Sequence, residues 1–552
     1  VDFFGVNNMR FLGAFIFSFI LVFAGTQAAQ ACTNFLVTPG ASTDGSTFIT
    51  YSADSHDLYG DLQVIPAGVH PKGSTITIYE WDSGKRLGEI PQVPRTYAVV
   101  GHINEHQVGI TETTFGGRMK LVDPKGIIDY GSLMFITLQR AKTAKEAIQI
   151  IVDLTTEYGY ASGGESFSIS DPKEAWIMEF VGRGEWGKGI LWVARKVPDG
   201  YVSAHANAAR IRQFPRNDRN TLFAPDIVQF ARDRGWYEGS DADFSFADTY
   251  APADFGARRY CDARVWAFFR RVAPNMNWTT DWTDGKPDAE PLPLWIKPER
   301  KLDVADMMDL MRDHFEGTPY DLSKGVGAGP YELPYRWRPM EWKNKGKTYF
   351  HERSTSTQQT GFSVVAQSRA KLPGPIGGIL WFGVDDTALT VYVPMYAGIL
   401  SAPHAFAPGT ADFKTFSWDS AFWTFNWVSN WVYTRYKDMI VDLKVVQSGF
   451  EGSYISEIPE IDAAALDLYK RSPRLAKEYL TKFSHERTAT LLSRWQKLGQ
   501  ELFMKYLDGN VRDEKGNVTH PPHPDHWLDR ITEERPGFYE VLPMPGQLQE
   551  GE

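Results

Sequence analysis

Cys32 follows directly on Ala31 in the run Ala29-Gln30-Ala31-Cys32-Thr33-Asn34-Phe35, and this placement can give one residue two reactive groups. Met9 and Arg10 lead into an apolar run over 11–24, and Ala29 and Ala31 supply the small-x-small pattern at which an export signal is cut. Cleavage after Ala31 would make Cys32 the first residue of the mature chain. Its free α-amine, with an ordinary pKa of about 7.7 to 8, could then take the thiol's proton near neutral pH, and the thiolate could attack a carbonyl. The sequence is therefore read as an export signal over 1–31, with Met9 a candidate start, followed by a chain that opens on an N-terminal nucleophile. Other readings of these residues stay open. The apolar run can be an anchor, although it is shorter than the ~20 residues a spanning helix needs. Cys32 can instead accept a lipid or form a disulfide with Cys261, the only other cysteine.

The residues after Cys32 read as a hairpin that returns toward it. Residues 33–38 form one strand, Pro39-Gly40 and Asp44-Gly45 mark the turn, and residues 47–52 form the second strand. Antiparallel pairing brings Asp54 beside Cys32, where its carboxylate can hold the α-amine and aim it at the thiol; as a turn former Asp54 needs no such role. Glu112 follows the alternating Val108-Gly109-Ile110 segment. A carboxylate there can pair with a free substrate amine, or it is an exposed strand-end residue without a role.

With 552 residues, 43% of them hydrophobic and 14% aromatic, the chain can bury a large core without disulfides or metals. A net charge of -10 argues against a nucleic-acid partner. No second run of membrane length follows the signal, and no glycine-rich phosphate loop or dinucleotide motif occurs, so no cofactor is implied. Apolar residues between 133 and 154 fall at helical spacing, and 167–169 and 176–180 read as strands, which suits a layered α+β architecture. The stretch 236–334 reads as long loops that shape a cleft. Trp418, Trp423, Trp427 and Trp431 are spaced as one helix face turned to the core. After Pro459 the character changes. Residues 461–469, 475–483 and 487–507 are helical, giving a helical C-terminal subregion over 459–552 that becomes Pro-rich from 514. His520, His523 and His526 invite a metal reading, but the prolines among them disfavour a helix and no zinc geometry is apparent, so no metal is expected.

Several blocks resemble one known family: Cys-Thr-Asn-Phe-Leu-Val from Cys32, Asp44-Gly45-Ser46, Asp54-Ser55, residues 104–113, 166–176, His205-Ala206-Asn207-Ala208, 312–321, Leu380-Trp381-Phe382-Gly383 and 419–423. In this order they are similar to the dipeptidase A family of cysteine N-terminal nucleophile hydrolases, related to penicillin V acylases and bile-salt hydrolases. The resemblance implies a four-layer αββα fold over a catalytic domain 32–458, with Cys32 opening a central strand. It implies hydrolysis of dipeptides through a thioester acyl-enzyme, with small peptides as partners; the expected export (periplasmic or extracellular) rests on the signal read over 1–31. Asp54 is carried over as the residue that fixes the amine, and Asn207 as an oxyanion-hole donor. Relatives commonly place an arginine three residues before the aspartate, whereas here that position is Tyr51, which can donate a hydrogen bond but has no fixed charge. Tyr51 and Glu112 are the expected substrate-side groups. Arg258, Arg259 and Arg264, around Cys261, either supply the missing charge or form a solvated basic face. The alternatives are an acylase acting on a non-peptide amide, or a non-catalytic exported binding protein whose Cys32 is lipidated or disulfide-bonded. The sequence leaves a homo-oligomer open.

Overall fold

Two strands, β1 (Asn34–Val37) and β2 (Thr47–Asp54), are buried along their whole length and form the expected hairpin. Leu36 stands opposite Ile49 and Val37 opposite Phe48. In the turn Gly45 takes a φ of 81°, where a side chain would be strained, and the Ser46 amide donates to the Asp44 carboxylate at 2.9 Å. A further bridge sets Thr33 opposite Ser52 and so carries Cys32 to the Asp54 end of β2. These features come from a computed structural model that describes residues 32–542; the expected export signal and the last ten residues lie outside it.

The other long strands, numbered along the chain, are β3 (Gly109–Gly116), β4 (Gly164–Asp171), β5 (Glu174–Gly182), β6 (Ile190–Lys196), β7 (Val202–His205), β8 (Thr360–Ser368), β9 (Gly378–Val384) and β10 (Val393–Tyr396). One sheet runs in the order Trp295–Ile296, β7, β1, β2, β8, β9, β10, so the strand that follows Cys32 is internal. The other runs Thr221–Phe223, β6, β5, β4, β3, Ile103–Asn104, Val99–Val100, Val64–Ile65. The long strands pair antiparallel throughout.

Strand alternation explains how the layers stack. In β4, Phe167 and Ile169 join a core with α1 (Tyr130–Leu138) and α2 (Ala144–Tyr158), while the alternate Ser168 turns to the other sheet and meets His205 of β7. Between the sheets, Phe35, Val37 and Phe48 share a second core with Ile177 and Val193. The remaining long helices are α3 (Ala263–Val272), α4 (Ala421–Thr434), α5 (Tyr436–Arg471) and α6 (Pro473–Lys505). The last two are tied to the first sheet: the Tyr392 amide donates to Glu451 at 2.9 Å, and Ser484 Oγ donates to the Pro394 carbonyl at 2.8 Å. The result is a mixed fold of antiparallel sheets and helices with a helical C-terminal region. Among the described residues, no helix is long and apolar enough to cross a membrane.

Several sequence expectations are corrected. The run 133–154 is two helices, because Thr143 Oγ1 accepts the Glu146 amide at 3.2 Å and Asp171 accepts the Ala144 amide at 3.0 Å, which starts a new helix there. The change of character at Pro459 coincides with no break, since α5 continues through it and ties to the core beyond it, where Arg369 Nη2 donates to Asp462 at 3.1 Å. The segments 475–483 and 487–507 belong largely to one helix, α6. Trp423, Trp427 and Trp431 do share α4, but they are only partly buried at the margin of the core, and Trp418 precedes the helix and is exposed. Finally, His526 does enter a helix, Asp525–Glu534, because Pro524 stands just before its first turn, where proline is tolerated.

Candidate active site

Cys32 is 2% exposed and belongs to the apolar core between the sheets, and polar groups of β2 and β3 bear on its sulfur. Its thiol lies 3.7 Å from Tyr51 Oη, and that hydroxyl in turn donates to Glu112 Oε1 at 2.5 Å. The Asp54 backbone N–H is also directed at the sulfur. Burial first, then the negative charges of Glu112 and Asp54, push the thiol well above its usual range; the Asp54 amide and the Tyr51 hydroxyl pull it partway back. A thiol so placed stays protonated at neutral pH unless a base or a positive charge appears beside it.

Asp54 is fully enclosed and held from three directions. Its Oδ2 accepts from Arg353 Nη2 at 2.7 Å and from Ser52 Oγ at 3.0 Å, and its Oδ1 accepts from Thr360 Oγ1 at 2.6 Å. This fixes the carboxylate at the β2 end beside residue 32. Asp54→Asn keeps the shape but leaves Arg353 facing a neutral group. The expected result is a loss of about 3 to 5 kcal/mol in stability, read as a lower but still cooperative thermal transition, together with a fall in turnover that persists well below the new midpoint.

Arg264 is a structural centre of the site. The reading of Arg258, Arg259 and Arg264 as a solvated face fails for Arg264, which is 0% exposed. Its Nη1 donates to the Cys32 carbonyl at 2.7 Å and to Thr33 Oγ1 at 2.8 Å; its Nη2 reaches the Ala206 carbonyl at 3.3 Å and Asn207 Oδ1 at 3.1 Å. Burial lowers it to about 10, so it remains cationic at neutral pH. One guanidinium thus ties the Cys32 peptide to the Asn207 loop. Asn207 takes a φ of 59°, a conformation asparagine tolerates better than most residues. Its Oδ1 faces Arg264 and its Nδ2 donates to the Thr114 carbonyl at 2.7 Å, so the amide orientation is set. The sequence did carry a signal for Arg264: Ala263, Val265, Trp266, Ala267 and Phe268 are apolar on every side of it, which leaves α3 no solvated face at that turn.

Glu112 is not an exposed strand end. It is 0% exposed, and Glu165 of β4 lies within hydrogen-bonding reach of it. Burial pushes both carboxyls up, Glu165 the more strongly. Two histidines near the hairpin are occupied. His205 engages Thr113 Oγ1 and Ser168 Oγ, each at 2.7 Å, and burial, with Arg210 nearby, lowers it to about 3. His56 Nε2 accepts from Arg338 Nε at 2.7 Å. Cys32 and Cys261 are both free, so no disulfide joins them. Cys32, Tyr51, Asp54, Glu112 and Asn207 are therefore brought together; Arg264, one of the three arginines considered above as a source of charge, joins them, and Arg353 and Glu165 are additions.

The arrangement is a buried thiol between a fixed carboxylate, a phenol and an oriented amide, at the head of an internal strand between layered sheets. A sequence model of peptidase family C69 matches residues 31–449, and the chain belongs to that family. It is similar to a "Probable dipeptidase" of Salmonella dublin, 26% identical over 69% of this chain and 84% of that protein. It is similar also to a "Probable dipeptidase B" of Streptococcus pyogenes serotype M1, at 22% identity over 90% of this chain and 97% of that protein. A "Dipeptidase" of Bifidobacterium longum is 25% identical over 68% of this chain and 72% of that protein.

Proposed function

We propose that this chain is an exported cysteine dipeptidase with the four-layer αββα N-terminal nucleophile fold, active once cleavage after Ala31 frees the Cys32 amine. The observation that carries the reading is the position of Cys32 at the head of an internal strand, with the Asp54 amide and the Tyr51 hydroxyl both directed at its sulfur. The two sheets flanked by helices support the fold, the run 11–24 with Ala29 and Ala31 supports export, and the names of the relatives support dipeptides as substrates.

The chemistry follows from the groups present. The free amine, held by Asp54, takes the thiol proton, and the thiolate attacks the scissile carbonyl carbon. The oxyanion that forms accepts from the Asn207 side-chain N–H, a donor of a kind typically worth about 2.7 to 4 kcal/mol. Collapse expels the leaving amine, which takes the proton back from the Cys32 ammonium and leaves a thioester. Water then gives a proton to the Cys32 amine as it attacks, and the acid departs as the thiol is restored. Neither His205, with both ring nitrogens engaged, nor His56, which accepts from Arg338, is placed to replace the amine as base.

A substrate panel tests the reading. Processed enzyme is expected to hydrolyse free dipeptides and to leave N-acetyl dipeptides and aliphatic N-acyl amides nearly untouched. The opposite preference would make it an acylase of non-peptide amides, and inactivity on every member with a free Cys32 would overturn catalysis altogether.

A further inference from the structure

Glu112 and Glu165 lie on adjacent strands and, by the β3–β4 register, on the same face of the sheet: Glu112 pairs with Phe167, and Thr114 with Glu165. Both are 0% exposed. One oxygen of each is engaged, Glu112 Oε1 by Tyr51 at 2.5 Å and Glu165 Oε1 by Thr114 Oγ1 at 2.8 Å. The other oxygen of each, Oε2, is buried and meets no donor. A buried carboxylate oxygen without a donor is costly, and here there are two, side by side, one of them on the residue that holds Tyr51 against the nucleophile.

Among the described residues no side-chain cation pairs with them, and the α-amine that cleavage would free at Cys32 is the group assigned above to Asp54. The described titratable groups coupled most strongly to the pair are Cys32 and Tyr51 from the first sheet, Tyr130 from α1, and Asp82 and Tyr160 from the connecting segments. All are neutral or acidic. None of the ion pairs among the described residues includes Glu112 or Glu165; the nearby arginines are committed elsewhere, Arg353 to Asp54 and Arg264 to the Cys32 carbonyl. Two buried carboxyls so close cannot both ionise without a cation, but one shared proton satisfies both.

Building on the dipeptidase reading, we propose that Glu112 and Glu165 act as one recognition unit for the substrate's free α-ammonium: they share a proton when no substrate is bound and release it when the ammonium docks between the two Oε2 atoms. Glu165 is thereby a specificity residue of this site. In a peptide the α-ammonium is separated from the scissile carbonyl of the first residue by the α-carbon alone, so a cation seat next to Tyr51 sets that carbonyl before the Cys32 sulfur. A substrate whose amine is acylated brings no charge to ionise the pair and leaves the Oε2 atoms without donors. The device selects peptides cleaved after their first residue.

The proton balance makes this measurable. Processed protein carrying Cys32→Ala binds dipeptide without turnover, and calorimetric titration near pH 6.5 in two buffers of different ionisation enthalpy counts protons released. About one proton per dipeptide is expected, falling toward zero in the same protein with Glu165→Gln. In the otherwise native enzyme, Glu165→Gln should raise KM about 10-fold or more while kcat stays within about 3-fold, and Glu112→Gln should raise KM as well. If Glu165→Gln does not fold, the proton count on the Cys32→Ala protein alone decides, and a count near zero overturns the proposal. An unchanged KM in folded Glu165→Gln likewise overturns it while leaving the dipeptidase reading intact. Wild-type enzyme that turns over N-acyl amides but no dipeptide overturns that reading instead.

Discussion

Cys32→Ser in the processed chain is expected to lower kcat/KM on dipeptides by on the order of 10³-fold or more, equivalent to about 4 kcal/mol of transition-state stabilisation. A serine hydroxyl ionises far less readily than a thiol, and the α-amine is too weak a base to make up the difference. The fold should hardly notice. Residue 32 is buried, but the replacement is small, and an oxygen at that point can keep the Tyr51 hydroxyl as a partner, so thermal stability should stay within about 1 kcal/mol. Cys261→Ser serves as the control. Cys261 is free, and burial pushes its thiol up to about 11, far from a nucleophile's range; its removal should leave the rate unchanged. A well-folded Cys32→Ser protein with the wild-type rate would end the mechanism.

What the sequence made legible was short-range. The hairpin after Cys32 follows from two short strand-forming runs and an Asp-Gly turn, and pairing across it places Asp54 without knowledge of the rest of the fold. The charge at the site was not legible in the same way. Arg264 reaches back 232 positions to the Cys32 carbonyl, and Arg353 reaches back 299 to Asp54. Such partners are chosen by topology, and local pattern carries no record of them. Tyr51, in the place of the usual family arginine, is explained in part by this: fixed positive charge comes from Arg264 and Arg353, which frees position 51 to link the thiol to Glu112. Glu165 carries a weak local signal, since it falls in the same alternation phase as Phe167 and Ile169 and so on the face of β4 that those two residues turn to α1 and α2. The single helix expected over 133–154 failed because apolar periodicity alone does not register a new N-cap, although Thr143 with Glu146 three residues later is the sequence form of one.

Processing carries the second large effect. While residue 31 is attached, the nitrogen of Cys32 belongs to an amide with no basic lone pair, and the thiol sits among Glu112, Asp54 and apolar neighbours that keep it protonated. The elevated thiol pKa means that the neutral form dominates through the physiological range and the thiolate appears only in alkali. Cleavage places an amine at the Asp54 end of β2, and its ammonium form stabilises the adjacent thiolate, so the thiol should ionise at a lower pH. Two chains are compared, one beginning at Cys32 and one carrying an unremovable residue before it. The pH profile of Cys32 alkylation should move to lower pH in the first, and turnover of dipeptides by the second should be lower by about 10³-fold with the same circular dichroism. When the added residue is one an aminopeptidase can remove, digestion should restore the rate. Equal rates from the extended, folded chain would show that the base is a side chain. Among the described side chains around the sulfur, the Tyr51–Glu112 hydrogen-bonded pair leads a proton away from it, whereas His205 is held on both nitrogens and His56 is turned to Arg338. That result would move the proton's destination from the chain's own terminus to Glu112.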